Sequence, residues 1–158
     1  MGWILWAILG ASVVHVVEEY AWPGGFLEAM RSTAPRFAPF VTPMAAAVIN
    51  GTMIGGLVVC ALIGTSVPIL GLSGAALVFV NGCVHLTATV RTRRYAPGVG
   101  SSLLLYIPLS VVAYVLFARA GYLSAGTLAA SAGLGLLYQV VPLAYFLLRS
   151  LASHRTAK

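Results

Sequence analysis

Long apolar runs alternate with short polar breaks along the whole chain, and that pattern predicts five membrane-spanning helices. The runs cover about residues 3–20, 39–63, 67–90, 99–117 and 123–148. After the first run comes Trp22-Pro23-Gly24-Gly25, a turn signal. A mixed stretch from Phe26 to Phe37 follows, carrying Glu28, Arg31 and Arg36. It is expected to form a short helix lying in the interface, with Trp22 at headgroup level. The third run gives way to Arg91, Arg93 and Arg94 and then to a break at Tyr95-Ala96-Pro97-Gly98; Arg119-Ala120-Gly121 turns the chain before the fifth. No internal repeat or low-complexity linker interrupts the series. The expected fold is an all-α integral membrane bundle forming a single domain over residues 1–158.

Composition supports lipid as part of the solvent. Of 158 residues, 60% are hydrophobic and 8% charged, against about 25% charged in soluble domains, and mean hydropathy is +0.98. The net charge of +6 would suit nucleic acid, but the arrangement argues otherwise. With five spans, Arg31, Arg36, Arg91, Arg93, Arg94, Arg149, Arg155 and Lys158 fall on one side and Arg119 alone on the other. The positive-inside rule then places the N-terminus outside and the C-terminus in the cytoplasm, the basic residues serving as topology signals and headgroup contacts. The bilayer, not nucleic acid, is the expected partner. The apolar run before Glu18 lacks a basic n-region and a small-residue cleavage site, so the first helix is expected to stay attached. Cys60 and Cys83 lie in apolar segments without metal-ligand spacing and read as small packing residues. Gly51-Thr52-Met53-Ile54-Gly55 in the second span is a GxxxG, and Gly71-Leu72-Ser73-Gly74 opens the third; such small residues serve either internal packing or a homo-oligomer.

The chain has three acidic residues, and two of them, Glu18 and Glu19, end the first span as His15-Val16-Val17-Glu18-Glu19. Ionisable groups at membrane depth cost roughly 2.5–3.5 kcal/mol each, so they mark candidate sites. His15, Glu18 and Glu19 share a helix face by their spacing of three and four. Asn81 and His85, four apart in the third span, belong to the same leaflet, with Arg91, Arg93, Arg94 and Tyr95 just beyond. Asn50 and Gln139 sit nearer mid-depth and are placed to close a cavity. Each has a plainer reading: wet glutamates at a helix end, an interhelical hydrogen bond for Asn81 and His85, structural glue for Asn50 and Gln139, topology anchors for the arginines, turn chemistry for Pro97-Gly98, and no role for His154 in the tail. Glu18 and Glu19 differ by about 100° around the helix, so whichever faces the third span should be the ligand or acid–base group. Its neighbour should reach the basic loop, to Arg94 first and Arg31 next.

His15-Val16-Val17-Glu18-Glu19, with Asn81-x-x-x-His85 and Tyr95-Ala96-Pro97-Gly98 in register behind it, resembles the signature of the HXXEE family. The resemblance covers the chain from the first span to the fourth. It implies a small bacterial integral membrane protein, hence the inner (plasma) membrane, with His15, Glu18, Glu19, Asn81 and His85 as lead residues; it carries over no activity.

Two carboxylates and two imidazoles supply acid and base partners, or ligands for one divalent metal, Zn or Fe. The favoured reading is a membrane-embedded enzyme on a hydrophobic lipid-like or isoprenoid-like substrate. Its candidate catalytic residues, and metal ligands if a metal is bound, are His15, Glu18, Glu19 and His85; Asn81, Arg94, Tyr95 and Asn50 are candidate substrate contacts. The alternatives are a proton- or cation-coupled transporter or channel, and a non-catalytic subunit whose His15 and His85 ligate a cofactor such as haem. Transport is disfavoured by the lack of an inverted repeat and by polar residues that gather toward one leaflet.

Overall fold

The computed structural model describes residues 1–21 and 25–156, with side chains as far as residue 153. It is all helical: α1 (Trp3–Ala21), α2 (Gly25–Thr33), a 3-10 turn (Pro35–Phe37), α3 (Pro43–Ile63), α4 (Pro68–Thr92), α5 (Val99–Arg119) and α6 (Ala125–Thr156). Five of the six α-helices, all but α2, are long and apolar enough to cross a membrane, the mark of an integral membrane protein. Successive spans run antiparallel: Asn50 early in α3 meets Glu19 late in α1, and Gly64 just after α3 meets Leu5 early in α1. The ends of α1, α4 and α6, the starts of α3 and α5, and α2 therefore share one end of the bundle.

The boundaries follow local chemistry. The second span starts at Pro43 rather than at the expected Pro39, because residues 37–42 are held in turns; the Phe40 amide donates to the Phe37 carbonyl at 2.8 Å. Thr42 then caps α3, its hydroxyl accepting from the Ala45 amide at 3.1 Å, and Pro43 occupies the first turn, where a missing N–H costs nothing. The fifth span continues past residue 148 to Thr156. Within α5 the turn over Ser102–Tyr106 is a π-helix. Pro108 follows it, and a proline lacks the N–H and crowds the carbonyl four residues back, so the preceding turn widens. The Phe26–Phe37 stretch divides into α2 and the 3-10 turn. The expected position of Trp22, the turn over residues 22–24 and the roles given to His154, Arg155 and Lys158 lie outside the described residues.

α4 packs against every other span. Half of its apolar window is buried inside the protein, against 17% for α6, which lies on the periphery. Glycines make the central contacts possible: a β-carbon at Gly135 would lie 2.6 Å from the Ala76 β-carbon on α4, and one at Gly71 would lie 2.7 Å from the Gly64 carbonyl oxygen. The GxxxG does not take part, since nothing lies within 4 Å of the side-chain positions of Gly51 and Gly55. Ile4, Leu5 and Ile8 of α1, Leu57 of α3, Leu72 and Val78 of α4 and Tyr106 and Phe117 of α5 form the core. Cys60 and Cys83 are free thiols.

Candidate functional site

Three side chains converge where α1, α4 and α5 meet. His15 and Glu19 are four apart on α1, and His85 comes from α4; all three are buried. One carboxylate oxygen, Glu19 Oε1, lies 3.5 Å from His15 Nε2 and 3.3 Å from His85 Nε2. The two imidazoles meet edge to face with centroids 4.8 Å apart. The other Glu19 oxygen accepts from the Asn50 amide of α3 at 3.4 Å. One ligand atom from each of His15, Glu19 and His85 can be chosen so that all lie within 4.8 Å of one another. Four-coordinate zinc with arms of about 2.0–2.1 Å has ligand–ligand edges of roughly 3.3–3.4 Å, so the two measured edges to Glu19 suit one small ion.

His15 Nδ1 meets the Ser101 hydroxyl at 2.9 Å, and that hydroxyl also reaches the Gly98 carbonyl at 3.2 Å. When Ser101 gives its proton to Gly98, Nδ1–H donates to Ser101. A neutral ring held this way carries its lone pair on Nε2. That nitrogen is buried and makes no hydrogen bond among the described residues, which is the state a metal ligand or proton acceptor needs. The ring stacks on Tyr106 of the π turn, centroids 4.5 Å apart. The Tyr106 hydroxyl is also buried, near the Ser12 side chain. Phe26 of α2 approaches His85 from outside, 6.4 Å between centroids.

Glu18 does different work. It points to the start of α5, where its carboxylate accepts from the backbone amides of Gly98 at 3.1 Å, Gly100 at 3.0 Å and Ser101 at 2.7 Å. The Tyr95 hydroxyl also donates to it. A helix start leaves amides without partners and carries positive dipole, so an anion is favoured there. Partial burial and the adjoining carboxylate hold the Tyr95 phenol above its ordinary range.

Gly98 joins the two halves. Its φ is +94°, a conformation that strains any residue with a β-carbon. A β-carbon there would lie 2.6 Å from His15 Cε1 and 2.9 Å from His85 Cε1. Its amide goes to Glu18, and its carbonyl accepts from Ser101 and, at 2.6 Å, from Ser102.

A family model described as a protein of unknown function with HXXEE motif matches residues 6–113, about two thirds of the chain. The chain belongs to the HXXEE family. No curated protein and no solved structure matches it. The motif residues of this HXXEE protein thus divide: His15 and Glu19 turn to α4 and His85, whereas Glu18 turns to α5.

The remaining candidates scatter. Asn50 touches Glu19, but Asn81 and Gln139 keep buried side-chain atoms without hydrogen-bond partners among the described residues. Arg94 is exposed and forms no ion pair with Glu18, and Arg31 instead donates to the Val41 carbonyl at 2.8 Å. The expected charge pair is replaced by backbone amides because Glu18 sits directly under the start of α5. Sequence reasoning left out Ser101, Ser102, Tyr106 and Phe26. Pro97-Gly98 entered as part of the family signature and otherwise as turn chemistry, although the glycine was the signal that another group passes close to the backbone.

Proposed function

We propose that this HXXEE protein is a membrane-embedded enzyme acting on a lipid-like substrate, with a single divalent metal held by His15 Nε2, Glu19 and His85 Nε2. The observation that carries the reading is the shared carboxylate oxygen 3.5 and 3.3 Å from two buried imidazole nitrogens. Three protein ligands with an open fourth position are the pattern of catalytic zinc, which activates water or polarises an oxygen when bound. The chain's own contributions are separable. Ser101 orients His15, Asn50 holds the outer oxygen of Glu19, and Tyr106 offers a buried phenol beside His15 as a proton donor. Burial of all three ligand side chains strengthens each of these interactions.

The test is metal analysis of detergent-purified protein. Wild type is expected to carry a stoichiometric first-row metal, and Glu19→Gln and His85→Ala to lose it while remaining folded. Metal in neither wild type nor variants overturns the metal reading.

Proton-coupled transport is the second reading, and one observation favours it. Ser102, Tyr106, Ser110 and Tyr114 recur every fourth residue along α5, the first three fully buried, so hydroxyls continue from His15 into the half of the bundle expected to lack polar groups. Ser110, however, is already committed to the Ala75 and Tyr106 carbonyls at 2.8 and 2.7 Å. That is helix–helix bonding rather than an open chain. Proton flux into liposomes that depends on Glu19 would favour transport over catalysis.

A further inference from the structure

Between α3 and α6 runs an apolar groove of about 850 Å³, within the size range of small-molecule sites. Val48 and Ile49 line it from α3, and Leu137 and Val141 from α6. The two helices are bridged by Tyr138, whose hydroxyl donates to the Ile49 carbonyl at 2.5 Å and meets the Thr52 hydroxyl at 2.8 Å. With its polar tip used on α3, the tyrosine presents only ring to the groove.

One end is cationic. Arg149 is the single charged residue among those lining the groove, and its guanidinium lies over the Phe40 ring, 5.7 Å from the centroid. Arg36 lies over Phe37 at 4.5 Å, and Phe37 packs against Phe146, one turn before Arg149 on α6. Aromatic faces hold these cations in place without neutralising them. No described carboxylate pairs with either: Glu19 serves the histidines, Glu18 the start of α5, and exposed Glu28 on α2 forms no ion pair among the described residues. From Arg149 back to Leu134 the groove follows α6 for about 22 Å at 1.5 Å per residue. One leaflet of hydrocarbon is roughly 15 Å deep. A chain entering beside Arg149 would remain in the groove past the membrane midplane.

We propose that the groove binds one hydrocarbon chain of an anionic lipid, with the lipid phosphate held at Arg149 and Arg36. Ile49 in the groove wall precedes Asn50, whose amide donates to Glu19, so the groove runs along the helix that also braces the His/Glu cluster. The inference names the substrate class of the proposed enzyme and rests on that reading for the reaction, not for the binding.

The experiment is competitive lipid retention. Delipidated protein in detergent is offered equal amounts of phosphatidylglycerol and phosphatidylcholine with identical chains, and the lipid that co-purifies is quantified by mass spectrometry. Wild type should retain phosphatidylglycerol preferentially. Arg149→Gln should lower that preference roughly five-fold, the order expected for one arginine facing an anionic headgroup, and Arg149→Lys should keep most of it. Leu137→Trp, which fills the groove, should lower retention of both lipids. Equal retention of the two lipids by wild type, or an unchanged ratio in Arg149→Gln, overturns the proposal. So does disulfide cross-linking of two copies through Val141→Cys that added lipid fails to prevent, which would assign the groove to a dimer. Metal content is read on the same samples: its absence with lipid preference intact would remove the enzyme reading and leave the lipid site standing.

Discussion

A carboxylate that accepts three amides and a phenol behaves as a structural anion, and one that lies between two imidazoles as a chemical one. Glu18 and Glu19 hold these two positions although they are sequence neighbours, because about 100° of helix rotation separates them. Glu19→Gln should therefore abolish metal binding while the protein still folds, its melting temperature falling only to that of metal-stripped wild type. Glu18→Gln should retain the metal but unfold more readily, by about 1–3 kcal/mol, the range for charge-assisted hydrogen bonds weakened at a partly buried site. Thermal melts with parallel metal analysis check both. The reverse pattern, metal lost from Glu18→Gln alone, would exchange the roles. At this scale the sequence showed that His15, Glu18 and Glu19 were exceptional, since charge at membrane depth is costly. It did not show which glutamate faced which neighbour, because helical spacing gives relative angle and the absolute facing depends on where α4 and α5 pack.

Among the elements, the start of α5 is the most exacting. Gly98 must pass both imidazoles while its amide meets Glu18, and no side chain fits that passage. Gly98→Ala is expected to lose metal affinity and stability together. Gly121→Ala is the control: Gly121 also has positive φ, +80°, but nothing lies within 4 Å of its side-chain position. Both substitutions should cost about 1–2 kcal/mol for the left-handed backbone, whereas only Gly98→Ala should disturb the metal. If the two variants bind metal equally, contact with the histidines is not what requires glycine there. The spans themselves were readable from apolar length, but the second span's start was not: the turns over residues 37–42 and the Thr42 cap move it from the expected Pro39 to Pro43. The π turn before Pro108 and the capping of α5 by another helix were not readable, since neither leaves a periodic trace.

For the whole molecule, antiparallel succession of five spans collects Arg31, Arg36, Arg91, Arg93, Arg94 and Arg149 at the end that holds the His/Glu cluster, and leaves Arg119 at the other. By the positive-inside rule that end is expected in the cytoplasm. Reporter fusions after residue 158 and in the loop at Gly121 should report opposite sides, the first cytoplasmic. The same side for both would be incompatible with five spans crossing the bilayer in this order. The outward GxxxG of α3 and the groove beside α6 are likewise features of the assembled bundle, visible only once α4 has been placed between the other helices.

What the sequence determined by itself was what depends on local free energy: helix number from hydrophobic length, candidate orientation from arginine distribution, and a candidate site from charges set where water is scarce. Tertiary structure decided which of those charges meet. His15 and His85 are seventy residues apart, and Glu18 and Ser101 more than eighty, so their meeting rests on the packing of α1, α4 and α5 around small residues. Such packing is short-ranged and depends on the shapes of all the neighbours at once. No single segment of the chain carries that information, which is why Gly98 reads as a turn in sequence and stands between two histidines in the fold.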